Sequence, residues 1–380
     1  MTKIMVLGAD GYLGWPTSLY WMEKSEVILI DNYIKRKINS KFKRSPLINL
    51  QKPEKKIKYL RNKFHKNIFF HNIDCTNYNE FKKIFVKYNP DVVIHFAELP
   101  SAPYSMAGVE EGWHILNNNL KSTYNLACLV KKYNKNCHII KLGTMGEYGT
   151  PNIDIEEGWL NIKHNNREDK FLYPRQASSL YHTSKIMDTD MLWFYVRLYG
   201  IRVTDLMQGP VYGVYTQNDI SREEGLETSL MYDDIFGTVL NRFIVQGVSG
   251  IPLTVYGSGK QIRGYINIID TLKCIDLAIQ NQSKGLTIYN QFTEQFSVND
   301  LAKKVQKALQ KIDIDVKIKK IKNPRIEKEK HYYNASNKNL KKLGLKSTLL
   351  SDNTIIDIAK YVLKHKRKIN KKIIQPKVNW

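Results

Sequence analysis

A chain of 380 residues that is 42% hydrophobic, with 23 Tyr and 13 Phe, carries enough apolar surface to offset the entropy of folding, which excludes extensive disorder and suits two lobes sharing a cleft. Its formal net charge of +23 raises a polyanionic partner, but the lysines are spread along the chain, denser over 35–66 and 303–377, with no aromatic nucleic-acid motif among them, so a solvated basic face and no nucleic acid are expected. No run of about 18 apolar residues could span a bilayer, and Cys75, Cys128, Cys137 and Cys274 form no C-x-x-C pair, so neither membrane insertion nor metal is expected and the thiols read as buried groups in a reducing compartment.

In chain order, Lys3 to Leu7 is an apolar run too short for a signal-peptide core and stopped by Asp10, which predicts a cytoplasmic protein, and it reads as a buried parallel strand. Pro16 to Lys24 has helical period, with Pro near the first turn, and Glu26 to Asp31 is a second apolar run. Tyr78 to Lys87 reads as helix and Asp91 to Phe96 as the third strand. Helices over Gly112 to Tyr133 and Ala177 to Tyr199 alternate with strands over Cys137 to Leu142 and Ile201 to Met207. This β-α-β-α-β order predicts an α/β fold, a Rossmann-type doubly wound parallel sheet extending past residue 200. Beyond it, Gln217 to Met231 is polar and contains glycine, while Val298 to Gln310 and Thr354 to Lys364 have helical period, which suits a smaller, discontinuous α/β substrate-binding lobe. The expected division is a dinucleotide-binding domain over 1–206 with a segment at about 235–290 returning to it, and a second lobe from 207–234 and 291–380.

Gly8-Ala9-Asp10-Gly11-Tyr12-Leu13-Gly14 follows the first strand and opens the first helix, where backbone must approach a pyrophosphate with no side chain between. Asp31 ends the second strand about 20 residues on, placed to accept hydrogen bonds from an adenosine ribose and to repel a 2′-phosphate, so NAD is expected over NADP. Lys35 and Arg36 are the counterweight, since they could neutralise that phosphate. Tyr12, Leu13, Asn32, Arg36, Asp74 and Ala97 complete the expected cofactor contacts.

Tyr181 and Lys185 stand four apart on one face of their helix, where an ammonium favours the phenolate of a tyrosine whose free pKa is about 10. Thr144, at the end of the preceding strand, falls near the same point. Glycine loop, Thr144 and Tyr181/Lys185 in this order resemble the extended short-chain dehydrogenase/reductase superfamily, whose members use bound NAD to modify nucleotide sugars. The segment Thr144-Met145-Gly146-Glu147-Tyr148-Gly149-Thr150-Pro151-Asn152-Ile153-Asp154-Ile155-Glu156-Glu157-Gly158 is similar, almost residue for residue, to the UDP-sulfoquinovose synthase family. So are Ser101-Ala102-Pro103-Tyr104-Ser105-Met106, Arg263-Gly264-Tyr265, Asn290-Gln291-Phe292-Thr293-Glu294-Gln295-Phe296 and His331-Tyr332-Tyr333-Asn334-Ala335.

That resemblance implies oxidation of C4 of UDP-glucose by NAD, loss of the C6 hydroxyl to an alkene, sulfite addition at C6 and hydride return. It implies Tyr181 as the C4 base, Lys185 as its partner and a cofactor ribose ligand, and Thr144 as the group orienting the hydroxyl. Dehydratases of the superfamily carry an Asp-Glu pair after the threonine; here Met145 and Gly146 stand there, leaving His182 and Glu147 as candidates to move the C5 proton. Arg263, Gln208 and Arg325 are the expected partners of UDP, joined by Ser101, Tyr104 and Thr144 as substrate contacts. A homodimer through the two long helices is implied, and a sulfite-delivering protein is a further candidate partner. One departure stands out: the family's Gln-Arg is Leu99-Pro100 here, which removes a cation that could hold sulfite. A UDP-hexose 4-epimerase or 4,6-dehydratase, and a non-catalytic basic binding protein, stand as alternatives.

Overall fold

Successive residues of the apolar runs point to opposite faces of one sheet, so each run must bury both sides. Met5, Leu7, Ile28, Ile30 and Val93 face one core, while Ile4, Val6, Val27, Leu29, Val92 and Ile94 face the other. The computed structural model describes all residues except 66, 217, 218, 283 and 328–330. Its central sheet has seven parallel strands: β1 Lys3–Leu7, β2 Glu26–Ile30, β3 Ile68–His71, β4 Val92–His95, β5 His138–Thr144, β6 Arg202–Gln208 and β7 Leu286–Gln291. They lie in the order β3-β2-β1-β4-β5-β6-β7. The winding reverses between β1 and β4, and the crevice above their carboxyl ends is where such a sheet binds ligand.

Helices Tyr78–Tyr88, Val109–Tyr133 and Leu180–Tyr199 cover the first face with Phe81, Phe85, Leu126, Val130, Leu192 and Val196. Leu19, Ile57, Leu60, Cys274 and Ile275 cover the second. The first helix spans Gly14–Trp21 and stops short of Lys24, because the amides of Lys24 and Ser25 both turn back to the Trp21 carbonyl. The second long helix starts at Leu180, where Ser179 accepts a hydrogen bond from the His182 amide and caps it.

A third core defines the second lobe, from Phe243, Ile244 and Val248 of Val239–Val248, Leu301, Val305 and Leu309 of Val298–Gln310, and Ile355, Ile358 and Val362 of Asp352–Lys364. A parallel pair, Leu253–Tyr256 with Ile318–Ile321, lies beside it. The stretch 235–290 is shared between cores: residues 239–256 pack into the third, helix Ile268–Gln280 covers the second face of the sheet, and β7 joins the sheet itself. On packing we draw the return at Ile268–Gln291. Leu47 and Ile48 cross into the third core, and Leu340 and Leu345 sit under the second. In the polar stretch 217–231, Gln217 and Asn218 lie outside the described residues, and Leu226 and Leu230 anchor one core each. Cys75, Cys137 and Cys274 are buried and Cys128 is half-buried, all as free thiols. Among the described residues no helix is long and apolar enough to cross a membrane.

Candidate active site

The carboxyl ends of β1, β2, β4, β5 and β6 open into one cavity of about 1160 Å³ between the lobes. At its floor Gly8 holds φ at +79° and donates its amide to the Ile30 carbonyl at 2.8 Å. A Cβ there would stand 2.5 Å from the Phe96 carbonyl oxygen, and one at Gly14 would overlap the Gly8 carbonyl. Gly11 closes the turn through its amide on Gly8 O, at 3.2 Å. The helix Gly14–Trp21 is thereby delivered with its amides toward the cavity, a cradle that fits a pyrophosphate. Tyr12 and Leu13 line it, and the Tyr12 hydroxyl donates to the Gly213 carbonyl of the second lobe at 2.6 Å.

Asp31 accepts from the amides of Asp10 and Tyr33 at 2.8 and 2.7 Å, and burial holds its carboxyl up at about 6. Arg36 is committed to Asp10, with Nη2 2.8 Å from Oδ1, and to the carbonyls of Leu50 and Gln51 at 3.0 Å. It is therefore not free to meet a 2′-phosphate. Asn32, Asp74 and Ala97 line the same side; Asn32 and Asp74 accept from the amides of Ile34 and Thr76, and the Ala97 carbonyl accepts from Ser122.

Across the cavity Thr144 ends β5, and its hydroxyl, which accepts from the Gly146 amide at 3.2 Å, lies beside the Tyr181 phenol. Burial, then the charges of Glu98 and Glu147, raise the Tyr181 pKa far above that of a free phenol. Lys185 lies one turn on and is paired with Glu98. Thr144, Tyr181 and Lys185 thus meet at one place on the cavity wall. Glu147 does not join them. It is fully buried, accepts the Thr144 amide at 3.1 Å, lies 3.6 Å from both Lys141 and Arg175, and completes a capping box around Thr144 behind the wall.

Met145 lines the cavity, and the bare Cα of Gly146 faces the His182 ring so closely that a Cβ at 146 would overlap it. The side chain that is missing at 146 is what gives His182 its place. His182 Nδ1 lies 3.0 and 3.1 Å from the hydroxyls of Ser178 and Ser179. Burial, with Arg325 and Arg263 nearby, pushes its pKa down to about 3, so the ring is neutral.

Gln208, Arg263 and Arg325 face the cavity from the other side. Gln208 donates to Gln291 at 3.0 Å, Arg263 to Glu327 at 3.0 Å, and Arg325 lies 5.2 Å over the Trp380 ring. Ser101 reaches the cavity, but its hydroxyl donates to the Ile235 carbonyl at 2.6 Å. Tyr104 does not reach it; the ring is buried beside Phe42 and Phe236, with its hydroxyl 2.8 Å from His114 Nδ1. Pro100 lines the wall and offers no charge, while Leu99 is buried in a small core with Tyr104 and Ile115. Three lining residues carried no signal of their own in the sequence: Glu98, Arg242, whose guanidinium lies 4.2 Å over the Tyr256 ring, and Trp380, bonded to the Pro324 and Ser178 carbonyls.

The family model described as "NAD dependent epimerase/dehydratase family" matches residues 4–290. The chloroplastic UDP-sulfoquinovose synthase of Spinacia oleracea is 43% identical over 381 residues, covering all of this chain and 79% of the relative. The UDP-sulfoquinovose synthase of Sulfolobus acidocaldarius is 40% identical over 386 residues, covering all of this chain and 97% of the relative. Among solved structures, UDP-glucuronic acid 4-epimerase from Bacillus cereus, in complex with UDP-glucuronic acid and NAD, superposes with a TM-score of 0.70 at 18% identity over 96% of this chain and 99% of its own. UDP-glucose 4-epimerase from Bifidobacterium longum, in complex with NAD+ and UDP, gives 0.70 at 22% over 98% and 100%.

Proposed function

The chain belongs to the NAD-dependent epimerase/dehydratase family, and from that premise we propose that it is a UDP-sulfoquinovose synthase, converting UDP-glucose and sulfite to UDP-sulfoquinovose. The observation that carries the reading is its full-length likeness to two such synthases. The residues beside Thr144 support it. A dehydratase places its acid pair there, whereas Met145-Gly146 leaves the space to a neutral imidazole.

Held by Gly8, Gly11, Gly14 and Asp31, NAD would supply the acceptor for the C4 hydride and its later source. Tyr181 takes the proton of the C4 hydroxyl and later returns it, and Thr144 holds that hydroxyl in line. Lys185 binds the nicotinamide ribose and favours the phenolate. Once C4 is a ketone the C5 proton is acidic; neutral His182, held by Ser178 and Ser179, accepts it as the C6–O bond breaks and passes it to the departing hydroxyl, which leaves as water. Sulfite then bonds to C6 while a proton from solvent returns to C5. Glu147 keeps Thr144 in place and moves no proton. Arg263, Arg325 and Gln208 bind the diphosphate, and the two arginines beside His182 supply the positive field that a sulfite dianion needs, which Pro100 cannot. We extend the proposal to a homodimer through Val109–Tyr133 and Leu180–Tyr199, which expose Trp113, Tyr124, Met187, Phe194 and Leu198.

The test is the absorbance of reduced nicotinamide in the holoenzyme. UDP-glucose alone is expected to leave a standing reduced fraction, and sulfite to discharge it. Sulfite without effect, together with UDP-galactose or a 4-keto-6-deoxy sugar as product, would make the chain an epimerase or dehydratase.

A further inference from the structure

Lys185 is not free beside Tyr181. Its ammonium is paired with Oε2 of Glu98, and the two side chains are only 3% and 4% exposed. Glu98 follows β4 and lines the cavity. Its Oε1 has no hydrogen-bond partner among the described residues; the His95 ring is nearest, with Nε2 at 3.8 Å. The titratable groups around it are His95 from β4, Lys141 and Glu147 from β5 and the turn after it, and Tyr181, Lys185 and Asp188 from the long helix. Burial holds His95 down at about 4, so it is neutral, and pushes the Asp188 carboxyl well above the usual carboxylate range. Glu98 and the Lys185 ammonium therefore stand as a buried ion pair beside the phenol, with Glu147 and Lys141 paired behind them. Leaving an oxygen of a buried carboxylate bare is costly, and an apolar side chain in its place would leave the ammonium wholly to phenol and cofactor.

Resting on the assignment of Tyr181 and Lys185 made above, we propose that Glu98 is a positioning residue for the C4 step, dividing the Lys185 ammonium between itself, the phenol and the cofactor so that Tyr181 both takes the C4 proton and gives it back. The reaction makes opposite demands on one group. In the first step the C4–H bond breaks with its electron pair going to NAD while the hydroxyl proton goes to the Tyr181 oxygen. In the last step the hydride returns to C4 and the phenol restores the proton to the C4 oxygen. An undivided ammonium favours phenolate and serves only the first step. A carboxylate on the same ammonium restores the phenol's hold on its proton and serves the last.

The experiment is the pH dependence of C4 oxidation, read as absorbance of reduced nicotinamide after holoenzyme is mixed with UDP-glucose, in wild type, Glu98→Gln, Glu98→Asp and Tyr181→Phe. In Glu98→Gln the acidic limb is expected to fall by about one pH unit or more, with a larger standing reduced fraction and slower hydride return. Glu98→Asp, which keeps the charge one methylene further away, is expected to lie between. A limb that stays in place or rises in Glu98→Gln contradicts the proposal. So does loss of NAD binding in both Glu98 variants, because Glu98 would then be a cofactor-affinity or folding group. A limb that survives Tyr181→Phe overturns the tyrosine assignment itself; a limb that vanishes there but is unmoved in Glu98→Gln removes only the role of Glu98.

Discussion

Gly146 and His182 behave as one unit, because the ring occupies the volume that a side chain at 146 would take. Gly146→Ala must displace the imidazole, so it is expected to suppress product formation much as His182→Ala does. Both variants should still reduce NAD with UDP-glucose, seen as accumulated bound NADH. Normal turnover in Gly146→Ala would remove His182 from the chemistry. Tyr181→Phe is expected to cut turnover on the order of 10²–10⁴-fold while UDP-glucose binding in calorimetry is kept, since the phenol contributes to proton transfer and little to ground-state affinity. Asp31 sets a pH dependence. A ribose that donates to Asp31 needs the ionised carboxyl, which burial holds at about 6, so NAD affinity should be level above neutrality and weaken as pH falls through about 6. Asp31→Asn should bind NAD more weakly and without that slope; a slope that persists assigns it elsewhere. Placements fixed by local spacing, such as the glycines after β1, Asp31 after β2 and Tyr181 with Lys185 on one helix, were legible from the chain alone. Side-chain direction was not. Glu147 and Tyr104 sit beside site residues in sequence, yet one turns behind the wall to Lys141 and Arg175 and the other into a small aromatic core. Glu98 carried no signal in the sequence, because its partner Lys185 is 87 residues away.

At the scale of elements, β1, β2, β4, β5 and β6 and the long helices follow from apolar period and fall close to the expected bounds. β3, Ile68–His71, was missed because a four-residue edge strand with a histidine at its end has too little pattern to stand out. The assignment of Val239–Val248 to a core was also beyond periodicity, which says that a helix buries a face but not against what. The helix that carries Tyr181, His182 and Lys185 starts at its Ser179 cap, which accepts the His182 amide at 3.3 Å and also lies 3.1 Å from the ring. Ser179→Ala is expected to lower stability by about 1 kcal/mol in thermal unfolding. It should also reduce product formation more than C4 oxidation, because the imidazole loses a hydroxyl that orients it. Equal losses in both steps would make the cap purely structural.

For the whole molecule, helices Val109–Tyr133 and Leu180–Tyr199 leave Trp113, Tyr124, Met187, Phe194 and Leu198 exposed, the apolar surface on which the proposed dimer rests. Light scattering is expected to give the mass of two chains. Leu198→Glu with Phe194→Glu, which puts charge onto that surface, is expected to give one, and a wild-type monomer would contradict the dimer. The cavity belongs to neither lobe alone: Thr144 and Tyr181 come from the sheet domain, Arg263 and Arg325 from the other side, and Trp380 bridges Pro324 and Ser178 across its mouth. The most direct test of the proposed synthase is the mass of the nucleotide sugar formed from UDP-glucose with and without isotopically labelled sulfite. The account predicts a UDP-sugar in which the C6 hydroxyl is replaced by a sulfonate carrying the label, formed only when sulfite is present and without net consumption of NAD. An unlabelled product of unchanged mass, or one lighter by a water, formed whether or not sulfite is present, would contradict it.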